Sequence, residues 1–381
     1  MMSVYFDHNS TTKLAAPAFE AMLPFLQEQY GNASSRHDLG TTAREAINQS
    51  REKVASLVGV HSSQVIFTSG GTESNNMFIN GMTSYLAPGR VLIGAIEHPC
   101  VVGPSRYLAR LGWSVDTIPV SKDGEIEASE VADLTIEKDC LVSVMMANNE
   151  TGVIQPVAAI AAQVRQGGGW MHTDAIQAVG KMPLSFNESC VHAMSLSAHK
   201  ISGPKGIGAL IIDKKLPIDA FIRGGGHESG LRSGTENVAS IVGFGVAAEL
   251  ANETVKDYGA RLSIMRDKIE GQLACLGAVI HGGRLPRLGN TSYFSIPGIQ
   301  GETLVMELNK SGFAVASGSA CSSHGSDSSE TLRAMGVSEE LAHGAVRLSL
   351  GLENSMEECE KFITNLKQIV SRLKDLVLLT V

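Results

Sequence analysis

The sequence is short of several features, and each absence narrows what the chain can be. Positive charge is in deficit: 31 Lys and Arg stand against 39 Asp and Glu, a net charge of −8. That argues against a nucleic-acid binder, which would carry a basic face. Aromatic residues make up only 5% of the chain. No CxxC pair occurs among the six cysteines, at 100, 140, 190, 275, 321 and 359, so the spacing fits neither a disulfide framework nor a zinc site. No uninterrupted apolar run reaches bilayer length, and the opening residues 1–7 lack the basic and apolar regions of a signal peptide. Neither an internal repeat nor a low-complexity tract stands out. These absences point to the cytoplasm, without a membrane and without direct nucleic-acid contact. A cysteine of interest there is of interest as a thiol.

What remains is a 381-residue chain with 43% hydrophobic residues, long enough for two domains and a large core. Amphipathic helical spacing covers 17–30 and a second stretch through Ala43, Ile47, Val54 and Leu57. Short apolar segments then alternate with helices: 65–67, 91–96, 115–118, 141–146, 170–173, 191–196 and 208–212. Such alternation predicts an α/β fold with a mainly parallel sheet covered on both faces. A long helix is expected over 237–276. A smaller α+β unit follows, with strands at 279–281, 292–295 and 313–316 and a last helix from Ser355. The expected division is 13–255 as a large domain, with 1–12 and 256–381 as the small one. Within the small domain, 317–330 is rich in Ser and Gly and reads as a mobile loop.

Ligands of parallel sheets bind beyond the carboxyl ends of the strands, and the residues with chemistry to offer cluster at such ends. Lys200 follows a buried strand. In a partly desolvated pocket its amine would lose pKa and condense with a carbonyl to a Schiff base; a surface lysine opening a loop is the plainer reading. Asp174 closes the strand before it, and a carboxylate buried there needs a cation or hydrogen-bond donors. A helix N-cap would satisfy it, as would a protonated ring nitrogen. Aspartate on a pyridinium plus a Schiff-base lysine is the protein's side of pyridoxal phosphate chemistry. His98 also lies past a strand end, where a neutral imidazole could stack on a flat cofactor. Gly70-Gly71-Thr72 turns from a strand into a helix whose first N–H groups could hold a phosphate. Cys321 lies in the polar 317–330 segment, where a thiol can react; the other five cysteines, in or beside apolar stretches, read as packing. Arg347 is a lone charge in an apolar strand, suited to a substrate carboxylate or to a structural salt bridge.

Taken together these segments resemble the pyridoxal-phosphate-dependent cysteine desulfurases of the NifS/IscS group, within the class V aminotransferase-like family. The resemblance runs through Asp7-His8-Asn9, Gly31 to Ser35, Thr68 to Asn75, Asn148 to Gly152, His172 to Gln177, His199-Lys200, Arg232 to Thr235 and Ser317 to Cys321. It covers essentially the whole chain. Gly234-Thr235-Glu236-Asn237 and Ala342-His343-Gly344 lean toward the NifS branch. The resemblance implies fold type I, the pyridoxal-phosphate-dependent transferase fold, and pyridoxal 5'-phosphate as cofactor.

It also implies roles. Lys200 would carry the cofactor and move the substrate proton, Asp174 would pair with the ring nitrogen, Gln177 would meet the ring oxygen, and His98 would stack on the ring and assist proton transfer. Gly71, Thr72, Ser197 and His199 would hold the phosphate, with Thr235 reaching in from the second subunit of a homodimer. Asn149 would lie between cofactor and substrate, Arg347 would bind the substrate carboxylate, and Cys321 would take the sulfur of L-cysteine as a persulfide. No metal is implied. The sulfur would pass to an iron–sulfur scaffold or another acceptor protein, and the long loop after Cys321 supports such delivery. Selenocysteine lyase or another pyridoxal-phosphate enzyme of this fold, such as an aminotransferase, is the alternative within the class; a non-catalytic sulfur carrier or scaffold is the alternative outside it. The chain departs from its relatives at Ala316, Leu352, Asn354 and 322–330, positions that bear on docking and loop behaviour.

Overall fold

The computed structural model describes residues 3–133, 138–318 and 328–378. Its centre is a seven-stranded sheet in the order Val65–Thr68, Gly208–Ile212, Ala193–Ser197, Trp170–Asp174, Leu141–Ser143, Arg90–Gly94, Ser114–Ile118. Only Gly208–Ile212 runs against its neighbours; the remaining pairs are parallel. The expected α/β architecture is therefore present, with one antiparallel strand inserted.

The inner strands read as continuous apolar runs because both faces are covered. Side chains alternate across a pleated strand, and here they enter two separate cores. Phe67, Leu92, Val142, Met194, Leu196, Ala209 and Ile211 belong to one. Their chain neighbours Ile66, Val91, Ile93, Leu141, Ala193, Leu210 and Ile212 belong to the other. Helices Asp38–Leu57, Val157–Gln166 and the first half of Val238–Cys275 cover the first face, with Ala16–Gln27 packed on the last of these, while Gly71–Tyr85 and Pro99–Leu108 cover the second.

The 38-residue helix Val238–Cys275 matches the long helix expected over 237–276. By length and composition it could cross a membrane, and small residues interspersed with charge hid this in the sequence. Half of its apolar window is buried against its neighbours, as in the core helix of a globular protein. Its glycines let helices approach closely: a Cβ at Gly245 would stand 2.7 Å from the Ser50 side chain.

Beyond that helix, a four-stranded antiparallel sheet runs Ala316–Ser317, Ala345–Ser349, Thr291–Ser295, Val279–Ile280. The chain start returns here, since Val4–Tyr5 pairs in parallel with Phe313–Ala314. Phe6, Leu262, Phe294, Leu308, Leu348 and Phe362 share a third core, closed by helices Gly301–Lys310 and Met356–Leu378.

Candidate active site

The ends of the parallel strands converge on a cleft of about 210 Å³, and nine of the residues singled out above line it: Gly71, Thr72, His98, Asn149, Asp174, Gln177, Ser197, His199 and Lys200. Topology explains the convergence. Asp174 and Ser197 end adjacent parallel strands, and Lys200 sits in the 3-10 turn Ala198–Lys200 that follows. Val65–Thr68 points the same way and delivers Gly71 and Thr72 as the first residues of the 15-residue helix Gly71–Tyr85, where amides lack intrahelical partners. A Cβ at Gly71 would stand 2.0 Å from Ile176 Cδ1, so the tip of that side chain on the cleft wall would have to move.

Asp174 is buried, and burial raises its carboxyl pKa. Hydrogen bonds from the Ile176 amide (3.0 Å to Oδ1) and Asn75 Nδ2 (2.8 Å to Oδ2), together with the charge of Lys200, act in the opposite direction. The Asn75 bond and the Ile176 bond leave carboxylate capacity for a cation in the cleft. His98 caps the helix Pro99–Leu108 through Nδ1, which accepts from the Cys100 amide at 3.2 Å; burial lowers its pKa, so the ring is neutral. Beneath it Glu97 accepts from the Met145 amide at 2.6 Å, and burial pushes its carboxyl well above the usual range. The Lys200 amine donates to the carbonyls of Asn9 and, at 2.8 Å, Ser10.

Asn9 joins the cleft to a polar cluster behind it. Its carbonyl accepts from Gln177 Nε2 at 2.9 Å, and its Oδ1 accepts from Lys181 Nζ at 2.7 Å and Asn290 Nδ2 at 3.1 Å. Its Nδ2 donates to the Asn149 carbonyl at 3.1 Å and to Thr291 Oγ1 at 2.9 Å. Lys181 also donates to Gln177 Oε1 at 2.8 Å, and burial depresses its pKa well below that of a free lysine.

Three of the remaining expectations fall elsewhere. Arg347 is buried but does not line this cleft; its guanidinium donates to Asp7 (2.8 Å), Ser10 Oγ (2.7 Å) and the Asn149 carbonyl (3.1 Å), the geometry of the salt-bridge reading. Thr235 is exposed, away from the cleft of its own chain. Cys321, and with it 319–327 of the expected mobile loop, lies outside the described residues. The residues flanking that segment are tied down: the Gly318 amide donates to the Ala345 carbonyl at 3.0 Å, and the Ser329 hydroxyl donates to Glu150, next to Asn149 in the cleft wall.

Sequence reasoning missed Asn75, Cys100 and Lys181. Cys100 had been assigned to packing, yet it lines the cleft; its place two residues after His98 at a helix start was the available signal. Cys190 and Cys275 also depart from that assignment, being exposed. Lys181 lies four residues beyond Gln177 in the turn that follows Asp174, and the spacing signals contact only once the path of that turn is known.

The donor set fits pyridoxal phosphate. A helix N-terminus with Ser197 and His199 suits a phosphate, Asp174 suits a ring nitrogen, and the Lys200 amine stands in the same cleft. Fold and site thus define a pyridoxal-phosphate enzyme of fold type I. Comparison with known proteins narrows this. The model of the family "Aminotransferase class-V" matches residues 4–362. The chain is 39% identical to cysteine desulfurase IscS of Dictyoglomus turgidum, over 97% of this chain and 95% of that protein. It is 39% identical to cysteine desulfurase NifS of Azotobacter vinelandii, over 98% and 94%. A solved structure described as a NifS-like protein superposes with a TM-score of 0.91 at 38% identity, covering 97% of this chain and all of that one. The chain belongs to the class-V aminotransferase family, among the cysteine desulfurases of the NifS/IscS group.

Proposed function

We propose that this chain converts L-cysteine to L-alanine and passes the sulfur to Cys321 for delivery to an acceptor protein, as in iron–sulfur cluster assembly. The observation that carries the reading is the meeting of Lys200, Asp174, His98 and the Gly71-Thr72 helix start in one cleft; Ser329, just past the segment that holds Cys321, is bonded to Glu150 next to the cleft residue Asn149. Pyridoxal phosphate, when bound, supplies the electron sink for charge left at the substrate α-carbon. The residues of the chain do the rest. Lys200 Nζ would hold the cofactor covalently and move the α-carbon proton; Asp174 would pair with the ring nitrogen; Gln177 would meet the ring oxygen. The amides of Gly71 and Thr72, with Ser197, His199 and Thr235 of a second subunit, hold the phosphate.

His98 covers one face of the ring and assists proton transfer. Asn149 orients the substrate. Arg347 binds the substrate carboxylate, for which Asp7 and Ser10 now compete. The Cys321 thiolate attacks the substrate sulfur: an S–S bond forms, the C–S bond breaks, and its electron pair stays on carbon, which takes up a proton and leaves as alanine. The reading includes a cytoplasmic homodimer. It also keeps two domains, 13–255 and 1–12 with 256–381, supported by the separate core around Phe6, Phe294 and Phe362.

The test follows alanine and sulfide released from L-cysteine under reducing conditions by the intact protein and by Cys321→Ala. Equal amounts of both products from the intact protein, with a coloured but inactive variant, is the expected result. Full activity in the variant would replace the persulfide route with a lyase.

A further inference from the structure

His98 makes a contact that its expected role leaves unexplained. Cys100 Sγ stands 2.8 Å from His98 Nδ1, and the Cys100 backbone N–H reaches the same nitrogen at 3.2 Å. Asn75 Nδ2 donates to Cys100 Sγ at 3.0 Å and, with its second hydrogen, to Asp174 Oδ2 at 2.8 Å. These partners settle one another. An amide NH₂ has two hydrogens, one for each of its two acceptors. A backbone N–H only donates, so Nδ1 accepts. The thiol accepts from Asn75 and also meets the Thr72 side chain; among the ring nitrogens its S–H faces Nδ1, at 2.8 Å. Burial pushes the thiol up to about 12 and lowers the imidazole, so both groups are neutral.

We infer that Cys100 is a positioning residue that locks His98 as the Nε2–H tautomer, presenting the cleft with a hydrogen-bond donor whose opposite nitrogen is closed to protonation. A proton on Nδ1 would set N–H against both a backbone N–H and an S–H donor. His98 can therefore donate from Nε2 while the α-carbon proton stays with Lys200. The line Asp174–Asn75–Cys100–His98 also ties the carboxylate at one wall to the imidazole at another, so the two hold a common orientation. This deepens the proposed desulfurase reading and rests on it for its catalytic meaning, though the tautomer itself does not.

The test records nitrogen NMR of the holoenzyme grown with ¹⁵N-histidine, with His98→Gln used only to identify the His98 signals. The expected wild-type result is one tautomer, Nδ1 bare and Nε2 protonated. Cys100→Ala keeps the backbone N–H on Nδ1 but removes the thiol donor. It should shift the Nδ1 resonance, admit a minor Nδ1–H form and lower kcat roughly tenfold, the worth of one hydrogen bond, with KM unchanged. Cys100→Ser, which keeps a donor in place, should restore both the single tautomer and most of kcat. A wild-type Nδ1–H signal would overturn the inference. So would an Ala variant with unchanged signals, whether it kept activity or lost it together with Ser, because Cys100 would then only fill space. If no alanine forms from L-cysteine, the proposed function fails while the nitrogen signals still decide the tautomer.

Discussion

The cleft and the polar cluster behind it use the same kinds of residue to opposite ends, and Asn9 belongs to both. Behind the cleft, Asn9, Lys181, Gln177, Asn290 and Thr291 satisfy one another in a closed set of hydrogen bonds at 2.7–3.1 Å. Below it His172 does the same between two strands, bonded to Ser143 and Ser195 and stacked on Phe78. On the cleft side, Asp174, His98 and Lys200 are held from behind, by Asn75, Cys100 and the Asn9 and Ser10 carbonyls, with the cleft in front of them. A saturated cluster gives a rigid seat. A set with the cleft in front of it keeps capacity for a ligand, and that capacity costs stability until the ligand arrives.

Substitutions on either side should separate the two. Lys200→Ala is expected to give the largest effect, a loss of about 10³-fold or more in alanine release, since positioned proton transfer is worth 10²–10⁴. Its urea midpoint should hold or rise. A variant that lost stability as much as activity would make the cleft a structural cluster like the other.

Lys181→Met should behave in the reverse sense. It leaves Gln177 Oε1 without the Lys181 donor in a buried place, a cost of ~1–3 kcal/mol, read as a lower urea midpoint at unchanged slope. A more stable variant would show that desolvation of the amine outweighs its bonds.

The smallest effect concerns pH. Burial lowers the His172 pKa to about 3, against about 6.5 in an unfolded chain. Between those values the unfolded state binds a proton that the folded state refuses. Stability therefore falls as pH drops through that window, by at most ~1.4 kcal/mol per unit for this group. His281 and His199, both lowered to about 4 by burial, act in the same direction. Unfolding at pH 7 and pH 5 should show a steeper loss for the intact protein than for His172→Gln; equal slopes would remove His172 from the account.

Much of this was legible beforehand because it depends on local pattern. The apolar runs that became Ala193–Ser197 and Trp170–Asp174, each followed by one polar residue with chemistry, placed Lys200 and Asp174 at one edge of the sheet. Cys100 offered one signal, its place two residues after His98. Its neighbours in sequence are apolar, and only the crossing of two helix starts, Gly71–Tyr85 and Pro99–Leu108, puts its sulfur between Asn75 and His98. Arg347 had two readings in the sequence. The described structure pairs it with Asp7, 340 residues away, a partner no local pattern can supply.

By itself the sequence determined the alternation of strands and helices, hence a largely parallel sheet, and the identity of the residues at its carboxyl edge. Those follow from side-chain periodicity and from the Gly-rich turn at 70–71, which act within a few residues. Tertiary structure decided which polar groups are satisfied and which face the cleft. Hydrogen bonding and desolvation depend on atoms brought together from distant parts of the chain: Asn9 from the first strand's end, Lys181 from the turn after Asp174, Asn290 from the second sheet.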